Sequence, residues 1–157
     1  MLILVYSLIK IRVSNSPIGI GNLEPVNDGK RTLVEQNDNY IILKFKNEAK
    51  YFSKQLFSNY NRFISSIINE NETIDLTLNK EFIVKSNTNL EVHFNKEIIT
   101  TLINFLGGNP GIQYSDLISV DLSHFNTSSV SNMYYMFPKC YSLQTLDLSN
   151  FNTSSVI

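Results

Sequence analysis

Enzyme chemistry needs nucleophiles, bases, metal ligands or phosphate cradles at workable spacing, and this chain offers few. It carries one cysteine, Cys140, and two histidines, His93 and His124, in 157 residues. His93 alternates with apolar Val92 and Phe94 in Leu90-Glu-Val-His-Phe94, so it is expected to face solvent. His124 stands where a second copy of the same block has Asn150, which marks a turn position that tolerates an amide. Neither histidine has the serine or carboxylate pattern of a triad. A single cysteine excludes an internal disulfide framework and a multi-cysteine zinc site. Cys140 lies between Phe137 and Leu143 and reads as a small buried filler rather than a reactive thiol. Asp121 and Asp147 recur and would stack as a short ladder, but a cation would need more oxygen ligands than a strand supplies. Gly107-Gly-Asn-Pro-Gly111 lacks the lysine and following serine or threonine of a phosphate loop and reads as a linker. Asp75, Glu91 and His93 are the remaining enzymatic candidates, and their spacing recommends no mechanism. No catalytic, cofactor-binding or metal residue is assigned, and a non-enzymatic role is expected.

Composition narrows the class of partner. With 13 basic and 14 acidic residues the net charge is −1, which leaves no basic excess to neutralise nucleic-acid phosphates and no acidic tail. Hydrophobic residues make up 43%, enough for one ordinary domain or one small domain plus part of something longer. The opening run Met1–Ile9 is apolar and is followed, not preceded, by Lys10 and Arg12, the reverse of a secretory signal. It is also shorter than the roughly 20 residues of a membrane-spanning helix, so a buried strand is expected and no transmembrane span is assigned.

The elements that must position these residues fall into two styles. Leu117-Ile-Ser-Val-Asp-Leu-Ser-His-Phe-Asn-Thr-Ser-Ser-Val130 aligns with Leu143-Gln-Thr-Leu-Asp-Leu-Ser-Asn-Phe-Asn-Thr-Ser-Ser-Val156, with ten of 14 positions identical at a period of 26 residues. A period in the twenties signals a solenoid built from one supersecondary unit per repeat. Leu117, Val120, Leu122, Phe125, Leu143, Leu146, Leu148 and Phe151 are expected to point into the stack from a short strand and its turns. Val130, Met133, Met136 and Phe137 recur at helical spacing, so a short helix is expected on the return limb, ending at Pro138 before Cys140. Tyr134, Tyr135 and Tyr141 lean outward and supply contact area at small entropic cost, which makes them the candidate partner-binding residues. The sequons at Asn71, Asn126 and Asn152 fit the N-glycosylation pattern, two of them as part of the repeat itself.

The pattern L-x-x-L-D-L-S-x-F-N-T-S-S-V-x-N-M-x-x-M-F-x-x-C-x-x-L over residues 117–157 resembles the repeat of BspA-like leucine-rich-repeat surface proteins. The resemblance implies a leucine-rich-repeat-like solenoid displayed on the cell surface or secreted, used for adhesion to host or matrix, or for protein binding. One full repeat and one truncated repeat are fewer than the three or so a stable stack needs. The chain is therefore expected to be a fragment of a longer repeat protein, with an open end at Leu143–Leu148 prone to self-association.

Upstream, Tyr40–Phe45, Thr73–Leu78, Phe82–Val84 and Leu90–Phe94 read as strands, with a turn at Ser86–Asn89. Ala49, Phe52, Leu56, Tyr60, Phe63 and Ile67 recur at spacings of three and four and predict an amphipathic helix. A second helix is predicted from a cap at Asn95 through Ile98, Ile99, Leu102, Ile103 and Leu106 to Gly107-Gly108. The expected fold is α+β: a lead-in with a turn at Asp28-Gly29 over 1–31, an α+β unit or cap over 32–108, a linker over 109–116, and repeats over 117–157. The unit at 32–108 faintly resembles a BTB/POZ interaction domain, which implies an intracellular protein-interaction scaffold as the alternative function.

Overall fold

The computed structural model describes residues 10–12, 39–107 and 114–157. The expected lead-in outside Lys10–Arg12, the turn at Asp28-Gly29 and most of the linker lie outside the described residues. The strands are β1 (Lys10–Arg12), β2 (Tyr40–Phe45), β3 (Ala49–Phe52), β4 (Ile64–Asn69), β5 (Glu72–Ile74), β6 (Glu81–Val84), β7 (Leu90–Phe94), β8 (Leu117–Asp121) and β9 (Thr145–Asp147). Two short 3-10 turns, Asn61–Phe63 and Tyr114–Asp116, are the nearest thing to a helix among the described residues.

Seven strands form one sheet in the order β1-β9-β8-β2-β7-β4-β5, and β3 and β6 pair separately. The sheet changes character at β8. From β8 through β9 to β1 the pairing is parallel, whereas β8-β2-β7-β4-β5 is antiparallel throughout. β2 and β7 alternate buried and half-buried residues, so one face of the sheet packs and the other meets water. Ile41, Leu43, Phe45, Val92 and Phe94 all sit on the packed face.

The α+β expectation is therefore corrected to an almost entirely β architecture, and all three predicted helices are absent. Residues 49–68 form β3, a run of turns, a 3-10 turn and β4. Their apolar spacing fitted a helix, but Ser53, Ser58, Asn59, Asn61, Ser65 and Ser66 compete for backbone hydrogen bonds, and Ile67-Ile68 is β-branched. Phe57 takes a left-handed φ of 60°, which a helix cannot contain. At 95–107, Asn95 does accept an amide hydrogen bond, from Glu97 at 2.9 Å, but it stabilises a turn. The β-branched run Ile98-Ile-Thr-Thr101 disfavours a helix, and Thr101 forms a parallel bridge with Asn132 instead. The amides of Leu102, Asn104 and Leu106 then donate to the carbonyls of Asn132, Tyr134 and Met136, a parallel ladder that uses the bonds a helix would have kept internal. That same ladder occupies the return limb, so Val130–Phe137 is extended and turned rather than helical.

One hydrophobic cluster runs through the antiparallel and repeat parts alike. At its centre Phe125 meets Phe94 at 4.8 Å edge-on and Phe105 at 5.4 Å stacked, while Phe57 and Tyr60 close on Phe105 at 5.1 Å. Full burial of each such ring is worth about 1.5–3 kcal/mol, and favourable ring pairing adds about a further kcal/mol. Gly107 belongs to this packing: a Cβ there would stand 2.8 Å from Pro138 Cδ, so only glycine lets the two limbs close.

Candidate functional site

The repeat becomes geometry in the pairing of β8 with β9. Ser119, Val120 and Asp121 lie beside Thr145, Leu146 and Asp147, so the sequence period is also the structural register. Leu117, Val120, Leu122, Phe125, Val130, Met136, Leu143 and Leu146 are buried, and Met133, Phe137, Cys140, Leu148 and Phe151 pack partly against them.

Polar residues of the repeat hold the turns and join one rung to the next. Asp121 Oδ1 accepts the Ser123 amide and Asp147 Oδ1 the Ser149 amide, each at 2.9 Å. Asn126 and Asn152 do the same for Ser128 and Ser154 at 3.0 Å. Thr127 is the rung-to-rung bolt: its hydroxyl accepts the Asn152 amide at 2.8 Å and donates to the Asn152 carbonyl at 3.2 Å. At the equivalent point one rung earlier, the Asn126 amide donates to Asn39 Oδ1 at 3.0 Å. Asn39, just ahead of β2, thus takes the part a preceding threonine would play. The Asn-Thr-Ser-Ser block kept in both copies signals side chains that bond backbone groups at the turn, but not that Thr127 would reach the next rung, and Asn39 had no signal.

The candidate chemical residues are not assembled into a catalytic constellation. Tyr40 on β2 stacks between the two histidines, with ring centroids 5.0 Å from His93 and 4.4 Å from His124. His93 is half-buried by this stack rather than freely solvated, and its Nε2 lies 3.3 Å from Glu91 Oε2. Asp75 is elsewhere: its carboxylate is exposed, accepts from the Thr77 hydroxyl and amide, and is held below the usual carboxylate range by those bonds. Cys140 Sγ lies 3.7 Å from the Leu106 carbonyl, and burial pushes its thiol up to about 12, which removes thiolate at neutral pH. Among the described residues no group of three or more histidine, cysteine, aspartate or glutamate side chains is placed to hold a metal ion. The crevice lined by Phe57, Tyr60, Asn104 and Tyr114 admits no water molecule.

The outer surface of the repeat is aromatic. Tyr134, Tyr135 and Tyr141 are 65%, 57% and 82% exposed. Tyr134 and Tyr135 lie ring to ring at 4.4 Å, and Tyr135 has a left-handed φ of 52°. Ile103, partly exposed, sits on the neighbouring limb, whose Asn104 amide bonds the Tyr134 carbonyl.

These features define a class, a β-rich repeat protein whose 26-residue unit forms parallel rungs beside an antiparallel set of strands. The chain belongs to the family described as "Mycoplasma protein of unknown function, DUF285", whose profile matches residues 54–157. The match begins in the turns after β3 and takes in both rungs, so the family unit includes most of the antiparallel strands as well as the repeat. No curated protein and no solved structure matches the chain significantly. Among the described residues no helix is long and apolar enough to cross a membrane.

Proposed function

We propose that this protein is a non-enzymatic binding module of the BspA-like leucine-rich-repeat kind, displayed on the cell surface and used for adhesion or protein binding. The observation that carries this reading is the set of exposed tyrosines, Tyr134, Tyr135 and Tyr141, mounted on rungs whose interior is packed and bolted. A rigid aromatic surface binds protein at low entropic cost, because its side chains have few rotamers to lose. Two measurements test it. Protease added to intact cells removes the full-length product if it is displayed, and protection of the product would overturn display. Immobilised extracellular-matrix proteins should retain the unmodified chain and lose at least about tenfold in affinity for a Tyr134→Ala/Tyr135→Ala/Tyr141→Ala variant. Equal retention of both would overturn the assignment of the surface. Recovery of the product solely from the cytosol would favour the intracellular scaffold.

A further inference from the structure

Charge is shared out unevenly along this chain. Residues 44–97 carry acidic and basic side chains throughout, whereas 98–115 contain none and Lys139 is the only one in 122–146. The fold sets these two neutral stretches side by side. Thr101 bridges Asn132, and the Leu102, Asn104 and Leu106 amides bond the Asn132, Tyr134 and Met136 carbonyls. Asn104 and Tyr135, at the same step past that bridge, share a left-handed φ of 54° and 52°, so the two limbs follow one path. Ile103 and Tyr134 are therefore neighbours on it, and both are exposed.

The neutral surface continues past the limbs. Asn104 lines a closed crevice with Ser58, Asn59 and Tyr60, and the Tyr60 hydroxyl donates to the Ile103 carbonyl at 2.8 Å. At its rim Ser58 and Asn59 are exposed and Asn104 is half-buried. Among the described residues no hydrogen bond occupies these three side chains. Two amides and a hydroxyl, all able to donate and accept, are thus left for a ligand. Beside the rim stand the Tyr134 and Tyr135 rings, tilted at 60° to each other.

This combination selects a ligand class. Protein partners commonly use arginine anchors and charged rims, which this surface has little charge to answer. Nucleic acids and anionic polysaccharides need a basic face. A neutral sugar needs neither. Its hydroxyls donate and accept as asparagine and serine side chains do, and its C–H face lies on the electron-rich face of an aromatic ring.

We propose that the Tyr134–Tyr135 pair, with Ile103 beside it and the rim of Ser58, Asn59 and Asn104, binds neutral oligosaccharide chains. A sugar ring stacks on a tyrosine face while hydroxyls along the chain bond the rim. The inference rests on the binding role given above to the tyrosines and names the ligand class for it: adhesion to a matrix protein runs through that protein's glycans. Affinity is insensitive to salt, because no ion pair forms.

The full chain is titrated with hexasaccharides of glucose, mannose, galactose and N-acetylglucosamine, with heparin as the anionic comparison. Binding is read by calorimetry and by tyrosine fluorescence, which no tryptophan obscures. At least one hexasaccharide should bind, with an affinity that changes less than about twofold between about 50 and 500 mM salt. Tyr134→Ala/Tyr135→Ala should weaken that binding at least about tenfold, and Asn59→Ala at least about threefold. Asn59 is exposed, so its variant decides the matter should the double variant fail to fold. Binding of no hexasaccharide, binding of heparin alone, or unchanged binding in Asn59→Ala would overturn the proposal. A second arm separates it from the reading on which it rests. Matrix proteins are immobilised before and after enzymatic removal of their glycans. Retention lost with the glycans supports the sugar surface, whereas equal retention afterwards overturns it and leaves protein binding by the tyrosines standing. Hexasaccharide binding without retention on either matrix supports the sugar surface and overturns the matrix assignment alone.

Discussion

Replacing Thr127 by valine keeps the side chain's branching and nearly its volume and removes one hydroxyl. That hydroxyl makes two bonds across the rungs, accepting from the Asn152 amide at 2.8 Å and donating to the Asn152 carbonyl at 3.2 Å. Thr127 is 1% exposed, so no water takes the hydroxyl's place from that side. A hydrogen bond of this kind contributes about 0.5–1.5 kcal/mol net, which sets the loss at about 1–3 kcal/mol for the pair. With a urea slope of about 2 kcal/mol per molar, the midpoint should fall by about 1 M at the centre of that range. The repeat provides its own control. Thr153 holds the same position one rung later and is exposed, so Thr153→Val should change stability by no more than about 0.5 kcal/mol. The assay is urea unfolding of the two variants beside the unmodified chain, followed by far-ultraviolet circular dichroism. Equal destabilisation at the two positions would show that an intrinsic preference for threonine, and not the rung-to-rung bond, sets the cost. No loss at Thr127 would refute the bolt altogether.

Phe125→Ala empties the point where the rung meets Phe94 and Phe105, and should cost about 3–5 kcal/mol in one cooperative transition, since a single core spans both parts; two separate unfolding steps would contradict the shared core. Gly107→Ala forces a Cβ against the Pro138 ring and should destabilise by about 1–3 kcal/mol, and a neutral result in the same unfolding assay would mean that the limbs separate at no cost. Cys140 should resist a disulfide reagent in native protein at pH 8 and react promptly once urea is added; fast native labelling would contradict its burial. The same burial has a pH signature. Folding raises the Cys140 thiol from 9.0 to about 12 and the Tyr51 and Tyr60 hydroxyls from 10.0 to about 12. The unfolded chain then loses these protons first, so stability should be steady below about pH 9 and fall as pH rises from there towards 12. A urea midpoint that stays constant to pH 11 would refute this.

The strands at Tyr40–Phe45 and Leu90–Phe94 were legible because alternation and β-rich composition agree there, and the structure places β2 and β7 on those residues. The helix reading of 49–68 failed because apolar residues three and four apart also arise when short strands and turns contribute one buried residue each. Tyr51, Leu56, Tyr60, Phe63 and Ile67 are all buried, yet they reach the core from different elements. At 98–106 the same spacing misled for another reason: the amides found carbonyl partners on the return limb of the repeat, which no local pattern reveals. His93 was assigned to the correct strand, but its stacking on Tyr40 depends on β2 lying next to β7.

What the sequence determined by itself was the 26-residue repeat, which is periodic and therefore visible without any knowledge of contacts. It also carried the identity of the residues that pack and of those that stay outside, Tyr134, Tyr135 and Tyr141 among them. The tertiary structure alone decided which segments lie beside the two rungs. β1 and β9 are far apart in the chain, and their register exists only once the rungs are stacked and an edge of unpaired backbone groups is there to be filled. Asn39 acquires its role in the same way, because a side-chain carbonyl replaces a missing threonine only where the fold sets it against the Asn126 amide. Local pattern specifies the rung, whereas the demand that backbone donors and acceptors find partners specifies what pairs with it.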